Sequence, residues 1–204
     1  MSTGFSRITA CSHPISIADP AANAQAAMRL LTGLGDSDIV LFSELSLTGY
    51  TCGDLFLQDA LLNATHEALH QLTAFTRNRQ QVVWVGLPVL VEDRLYNAAA
   101  ALADGQVVAV VPKQFLPNYQ EFYESRWFSP ADGSEPPSVR IGGVEVPVGI
   151  DLLIERDDCT IGVEICEDLW MPVPPSSLQA LAGANVLLNL PGSNEIIGKA
   201  ASSC

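Results

Sequence analysis

Apolar strand runs that alternate with helix-patterned segments, and that stop on a single polar group, constrain this chain most. Asp38 to Phe42 reads as a buried strand and ends at Ser43-Glu44. Gln81 to Val91 is almost uninterrupted apolar sequence, and Gln106 to Val111 ends just before Lys113. Cys159 to Ile165 delivers Cys166 to its end, and Val186 to Leu190 makes a last strand. Between them, Asp19-Pro20 gives a helix N-cap and first-turn proline, followed by Ala27, Leu30, Leu31 and Leu34 at helical spacing. A second helix is expected over residues 58–77, with Leu61, Ala64, Ala68, Leu72 and Phe75 on one face. Asp104-Gly105 between Tyr96–Leu102 and Gln106–Val111 is a strong hairpin signal. Residues 7–12 form a short first strand, and two more strands are expected near 148–154 and 159–165. Pro174-Pro175-Ser176 starts a short helix that Gly183 stops. Strands alternating with helices, plus one hairpin, predict a layered α/β fold of mixed sheet.

Composition narrows function by exclusion. The 204 residues suit one domain with enough apolar content, 48%, for a sizeable core. With 10 basic against 23 acidic residues the net charge is −13, so neither nucleic acid nor an anionic membrane is an expected partner. No apolar run reaches the ~20 residues that span a bilayer, and residues 1–6 do not read as a signal peptide. Five cysteines without a CxxC pair argue for a reducing, cytoplasmic compartment.

Glu44, Lys113 and Cys166 share one placement, each just after a buried strand, where layered folds collect their sites. Any one of them alone is explained by a strand leaving the core; the three together describe a chemistry. A carboxylate takes the thiol proton, and an ammonium stabilises an oxyanion. The sulfur attacks an amide carbon, and water clears the thioester. Residues 114–138, rich in aromatics and proline, are expected to be a long ordered loop, of the kind that is usually functional.

These residues resemble a known family. Phe42-Ser43-Glu44-Leu45, Pro112-Lys113 and Glu164-Ile165-Cys166-Glu167-Asp168 look like the Glu–Lys–Cys triad of the nitrilase, or carbon–nitrogen hydrolase, superfamily. The likeness is closer to the glutaminase domain of the glutamine-dependent NAD+ synthetases. It extends through Leu47-Thr48-Gly49-Tyr50, Asp54-Leu55-Phe56, residues 116–124, Leu169-Trp170 and Ser193-Asn194-Glu195. The resemblance implies a nitrilase-like α-β-β-α sandwich over residues 1–204, one glutamine amidohydrolase domain shortened at its C-terminal end, with the synthetase domain absent. It implies Glu44 as general base, Lys113 as oxyanion stabiliser, Cys166 as nucleophile and Glu121 as the second glutamate that props the lysine. Tyr119, Phe122, Glu124, Glu167 and Ser193 correspond to the glutamine pocket. The glutaminase step would need no cofactor. ATP and Mg are expected only for a synthetase domain that amidates nicotinic acid adenine dinucleotide, and a homo-oligomer is expected.

Two other readings stay open: a stand-alone amidase acting on a small ω-amide, and a catalytically silent domain used in assembly. His66-Glu67-Ala68-Leu69-His70 matches the HExxH zinc motif on a helix. Helical geometry turns both histidines away from the apolar face, so a solvated helix surface is expected there, and no metal site. Trp84 is expected in the core; Trp127 and Trp170 are candidates for walls that exclude water from the site.

Overall fold

The computed structural model describes residues 5–157 and 159–194. Five strands, β1 (Ile8–Ala10), β2 (Ile39–Leu41), β3 (Val82–Val91), β4 (Arg94–Ala103) and β5 (Gln106–Pro112), form one sheet in that order. Its first three strands are parallel and joined by α1 (Pro20–Gly33) and α2 (Asp59–Phe75). The rest is an antiparallel meander. A second sheet of three strands has the order β10 (Val186–Leu190), β9 (Cys159–Ile165), β8 (Ile154–Arg156). Helix α3 (Pro175–Leu181) connects its parallel pair, β9 and β10.

Side-chain alternation along the strands makes these sheets the middle layers of a sandwich. Val83 and Val85 of β3 and Ala98, Ala100 and Leu102 of β4 point to the side covered by α1 and α2, against Leu31, Leu69 and Leu72. Trp84, Ala99, Ala101 and Val111 point the other way and pack on Ile161, Val163 and Ile165 of β9 and Leu188 and Leu190 of β10. The opposite face of β9 meets α3: Gln179 Nε2 donates to the Val163 carbonyl, and the Ser176 N–H donates to Glu164. The α-β-β-α layering is therefore present, and it sets the ends of β2, β5 and β9 beside one another.

Four local expectations need correction. A hairpin, β6 (Ser138–Ile141) and β7 (Val144–Pro147), follows the long loop, and the strand expected at 148–154 reduces to β8. Short strands with polar Arg140 and Glu145 paired across them carry little apolar signal. A second hairpin joins β3 to β4 through Glu92-Asp93, two residues with no glycine, Glu92 taking a positive φ of 54°. On α2, Thr65 and Leu69 are buried while Ala64 is exposed, because the buried face is rotated from the one read off the apolar spacing. Residues 50–57, expected as loop, form a kinked 3-10 segment.

Candidate active site

Glu44, Lys113 and Cys166 meet where the two sheets end together. Each is delivered by an abrupt change of backbone. After Glu44, Leu45 takes a positive φ of 49°, and after β9, Cys166 takes one of 46°, a region disfavoured for residues with a Cβ and found where structure over-determines it. Gly86 lets the Glu44 turn press onto β3. A Cβ there would lie 2.7 Å from the Ser43 carbonyl oxygen and 2.8 Å from the Glu44 carbonyl carbon. The Gly86 N–H donates to Ser46 Oγ (3.2 Å) and the Leu47 N–H to the Gly86 carbonyl (3.1 Å), fixing that turn.

Lys113 is fully buried, its ammonium donating to Glu44 Oε1 at 2.6 Å and to Glu124 Oε1 at 2.8 Å. Asn97, buried in β4, donates from Nδ2 to Glu44 Oε1 (2.7 Å) and to Glu124 Oε2 (3.4 Å). Tyr50 Oη donates to Glu124 Oε1 at 2.6 Å. Burial alone would lower the Lys113 pKa, but the charges of Glu44 and then Glu124 outweigh it and hold it above its ordinary value. Lys113 is thus a permanent ammonium. Burial in turn pushes the Glu44 carboxyl upward.

The two oxygens of Glu44 are not equivalent. Oε1 accepts from Lys113 and Asn97, whereas Oε2 is buried and, among the described residues, accepts no hydrogen bond. The Cys166 thiol interacts with this carboxyl group. Burial and then the Glu44 charge push the thiol up to about 12, against the opposing pull of Lys113 and of the Gly192 N–H. At neutral pH the resting Cys166 therefore keeps its proton, until a substrate draws it off.

Asp168 fastens the nucleophile loop to the lysine strand. Its Oδ1 accepts from the N–H groups of Gln114 (3.1 Å) and Phe115 (2.8 Å), and its Oδ2 from that of Ile165 (3.0 Å). The residues before Cys166 and after Lys113 are bridged by one buried carboxylate.

The expected pocket residues fall into two groups. Tyr119 Oη donates to Glu167 Oε2 at 2.9 Å, and the Phe122 ring stands edge-on to Tyr119 and Tyr50, centroids 5.8 and 6.0 Å apart. Ser193 lies in a cleft of about 630 Å³ that Glu44, Tyr50, Gly192, Ser12 and His13 also line. Glu195 lies outside the described residues.

One pair of residues lies where the other is expected. Glu121, expected beside the lysine, is exposed, and its carboxylate accepts from Asn194 Nδ2. Glu124, expected in the glutamine pocket, is buried and holds Lys113. The chain turns at Gln120, where φ is 52°, and then winds into a single 3-10 turn starting at Glu124, which swings that carboxylate inward. Two glutamates three residues apart in an irregular loop cannot be told apart by spacing. Asn97, Tyr50, Asp168 and Gly192 were not expected in the site. Asn97 had a signal, a lone amide within the apolar run of β4.

Trp84 is buried between the sheets. Trp127 packs on Phe56 and Tyr123 and donates to Asp54 Oδ1 (2.9 Å), clasping the loops that carry Tyr50 and Glu124. Trp170 is 74% exposed. His66 and His70 are exposed on α2. They line a groove with Arg140, and among the described residues no group of three or more His, Cys, Asp or Glu side chains forms a metal-binding cluster. No described helix is long and apolar enough to cross a membrane.

This architecture has close counterparts among known proteins. The glutamine-dependent NAD(+) synthetase of Mycobacterium bovis is 45% identical over 202 residues, covering 97% of this chain and 30% of that protein. The crystal structure of a glutamine-dependent NAD(+) synthetase from Cytophaga hutchinsonii superposes with a TM-score of 0.83 at 29% identity, over 97% of this chain and 32% of that one. An amidase from Nesterenkonia sp. AN1, solved with acrylamide, shares the fold at a TM-score of 0.71 and 16% identity, covering 96% of this chain and 68% of that one. The chain therefore spans about 30% of the length of the curated relatives it matches. Residues 7–202 match the carbon-nitrogen hydrolase family over almost their whole extent, and the chain belongs to that family.

Proposed function

We propose that this chain hydrolyses the side-chain amide of glutamine through a thioester on Cys166. The observation that carries the reading is the buried Glu44–Lys113–Glu124 cluster beside the Cys166 thiol, with one Glu44 oxygen left free. Glu44 Oε1 is committed to Lys113 and Asn97, which leaves Oε2 to carry the proton.

In the first half-reaction the S–H bond breaks, its proton passes to Oε2, and the sulfur electron pair forms the bond to the amide carbon. The carbonyl π pair moves onto oxygen, where the Lys113 ammonium opposes the new charge. Oε2 then returns the proton to the amide nitrogen, the C–N bond breaks and ammonia leaves. In the second half, Oε2 takes a proton from water, the hydroxide oxygen bonds to the thioester carbon, and the C–S bond breaks with the proton returning to sulfur. Glutamate and ammonia are the products, one water is consumed, and neither half requires a cofactor. Glu167, held by Tyr119, is suited to the α-ammonium of free glutamine, with Phe122 and Ser193 as further pocket walls. Glu121 has no part in this scheme, and Glu124 takes its place as the lysine's support.

The names of the relatives support a larger setting. The ammonia would pass to an ATP- and Mg-dependent synthetase region that amidates nicotinic acid adenine dinucleotide to NAD+, in a cytoplasmic homo-oligomer. The free thiols of Cys11, Cys52, Cys159 and Cys166 suit a reducing compartment. The direct test is glutamate and ammonia release from glutamine by the wild type and by Cys166→Ser. Turnover by the wild type that vanishes in a folded Cys166→Ser variant is expected; equal turnover in both would sink the assignment.

A further inference from the structure

Gly192 stands where Glu44 and Cys166 meet, and it touches both. The Pro191 carbonyl before it accepts from the Glu44 N–H at 3.2 Å, so the segment after β10 is tied to the Glu44 turn. The Gly192 N–H favours the charged form of the Cys166 thiol, and its Cα faces the free oxygen of Glu44. A Cβ at this position would overlap Glu44 Oε2, with Glu44 Cδ at 3.1 Å and Tyr50 Cδ2 at 3.3 Å. The backbone does not account for the glycine, because φ of Gly192 lies outside the left-handed region that favours it. What excludes a side chain is the space the carboxylate needs.

We propose that Gly192 is a positioning residue for the Glu44–Cys166 pair: its bare Cα keeps Oε2 open for the proton, while its N–H holds the Cys166 sulfur. The proposal rests on the roles given above to Glu44 and Cys166, and not on glutamine being the substrate. A methyl group at 192 can be accommodated in two ways. Either Glu44 swings aside, or the 191–193 segment withdraws and takes its N–H off the sulfur. Each breaks one of the two contacts, so both slow transfer of the thiol proton. The N–H is a donor fixed before the reaction starts, and loss of such a donor costs large factors in rate.

The test is the rate of Cys166 alkylation by iodoacetamide across pH, read on its own peptide by mass spectrometry, in a two-by-two set. The wild type, Gly192→Ala, Glu44→Asp and the Gly192→Ala/Glu44→Asp double variant are compared, with thermal melts alongside. Gly192→Ala should slow alkylation at neutral pH by about tenfold or more, because Oε2 no longer takes the thiol proton as the sulfur attacks. In the Glu44→Asp background, where the carboxylate is one methylene shorter, the same change should cost less than about threefold, the rest having been removed as coupling. An unchanged rate, or an equal loss in both backgrounds, would overturn the proposal. Should Gly192→Ala fail to fold, recovery of the melt in the double variant supports it and continued unfolding overturns it. Iodoacetamide carries no glutamine-like group, so absence of glutaminase activity would leave this outcome standing. Normal glutamine turnover by Gly192→Ala would remove the role of Gly192 and leave the glutaminase reading intact.

Discussion

At the scale of single residues the site is a charge problem solved by pairing. An isolated buried ammonium is costly, and Lys113 is tolerated because two carboxylates accept from it, each held in turn by a donor, Asn97 on Glu44 and Tyr50 on Glu124. Removing Glu124 leaves Lys113 paired with Glu44 but strips one acceptor from the ammonium and the partner from Tyr50 Oη, so Glu124→Ala should destabilise the protein by ~1–3 kcal/mol in chemical denaturation and abolish activity. Glu121→Ala, at an exposed carboxylate, should change stability by less than ~0.5 kcal/mol. If the two variants exchanged these outcomes, Glu121 would be the lysine's support after all. The triad itself was legible because each member ends a buried apolar run, a position with few bland explanations when it recurs three times. The supporting groups were less legible. Asn97 matters through the register that pairs Ala98 with Pro112 and so brings Asn97 to Lys113, where its backbone carbonyl accepts the Lys113 N–H at 2.8 Å, and register across strands is not written in local sequence. Glu121 and Glu124 differ only in the path of an irregular loop, which no period encodes.

At the scale of elements, Asp168 joins the ends of β5 and β9, and its charge gives that joint a pH dependence. Burial raises its carboxyl from 3.8 to about 7, although three N–H donors pull it the other way. A carboxyl raised in the native state binds its proton before the unfolded chain does. Its cost to stability is therefore present in full above pH 7 and fades as the pH falls towards 3.8. In Asp168→Asn the amide would turn an N–H toward the Ile165 N–H, losing one hydrogen bond for ~1–3 kcal/mol, while the pH-dependent cost disappears. Denaturation at pH 5 and pH 8 should show the wild type's advantage over the variant larger at pH 5. An advantage larger at pH 8 would mean that the three donors win and that Asp168 is held low instead. The order and type of the long elements could be read from sequence, since helices with caps and buried strands carry strong periods. The hairpin of β6 and β7 could not, being short and half-exposed, nor could the rotated face of α2, where Thr65 packs inward by bonding its hydroxyl to the Leu61 carbonyl at 2.7 Å.

At the scale of the molecule, the α-β-β-α sandwich is what brings the three strand ends together, because its two sheets share one apolar interior. Ile161 is fully buried in that interior, five residues before Cys166. Ile161→Ala should cost ~2–5 kcal/mol and lower kcat as well, since the packing that holds β9 against β3 and β4 also aims the nucleophile. A variant with lost stability and full kcat would show that Asp168 and the loop contacts suffice to aim it. The central claim is that this fold gathers one carboxylate, one ammonium and one sulfur around a single carboxamide carbon. Incubation with the glutamine analogue 6-diazo-5-oxo-norleucine, followed by peptide mass spectrometry, tests it most directly. The account predicts one covalent adduct, on Cys166, lost in Glu44→Gln; a label on Cys11, Cys52 or Cys159, or none at all on a folded protein that binds the analogue, would contradict it.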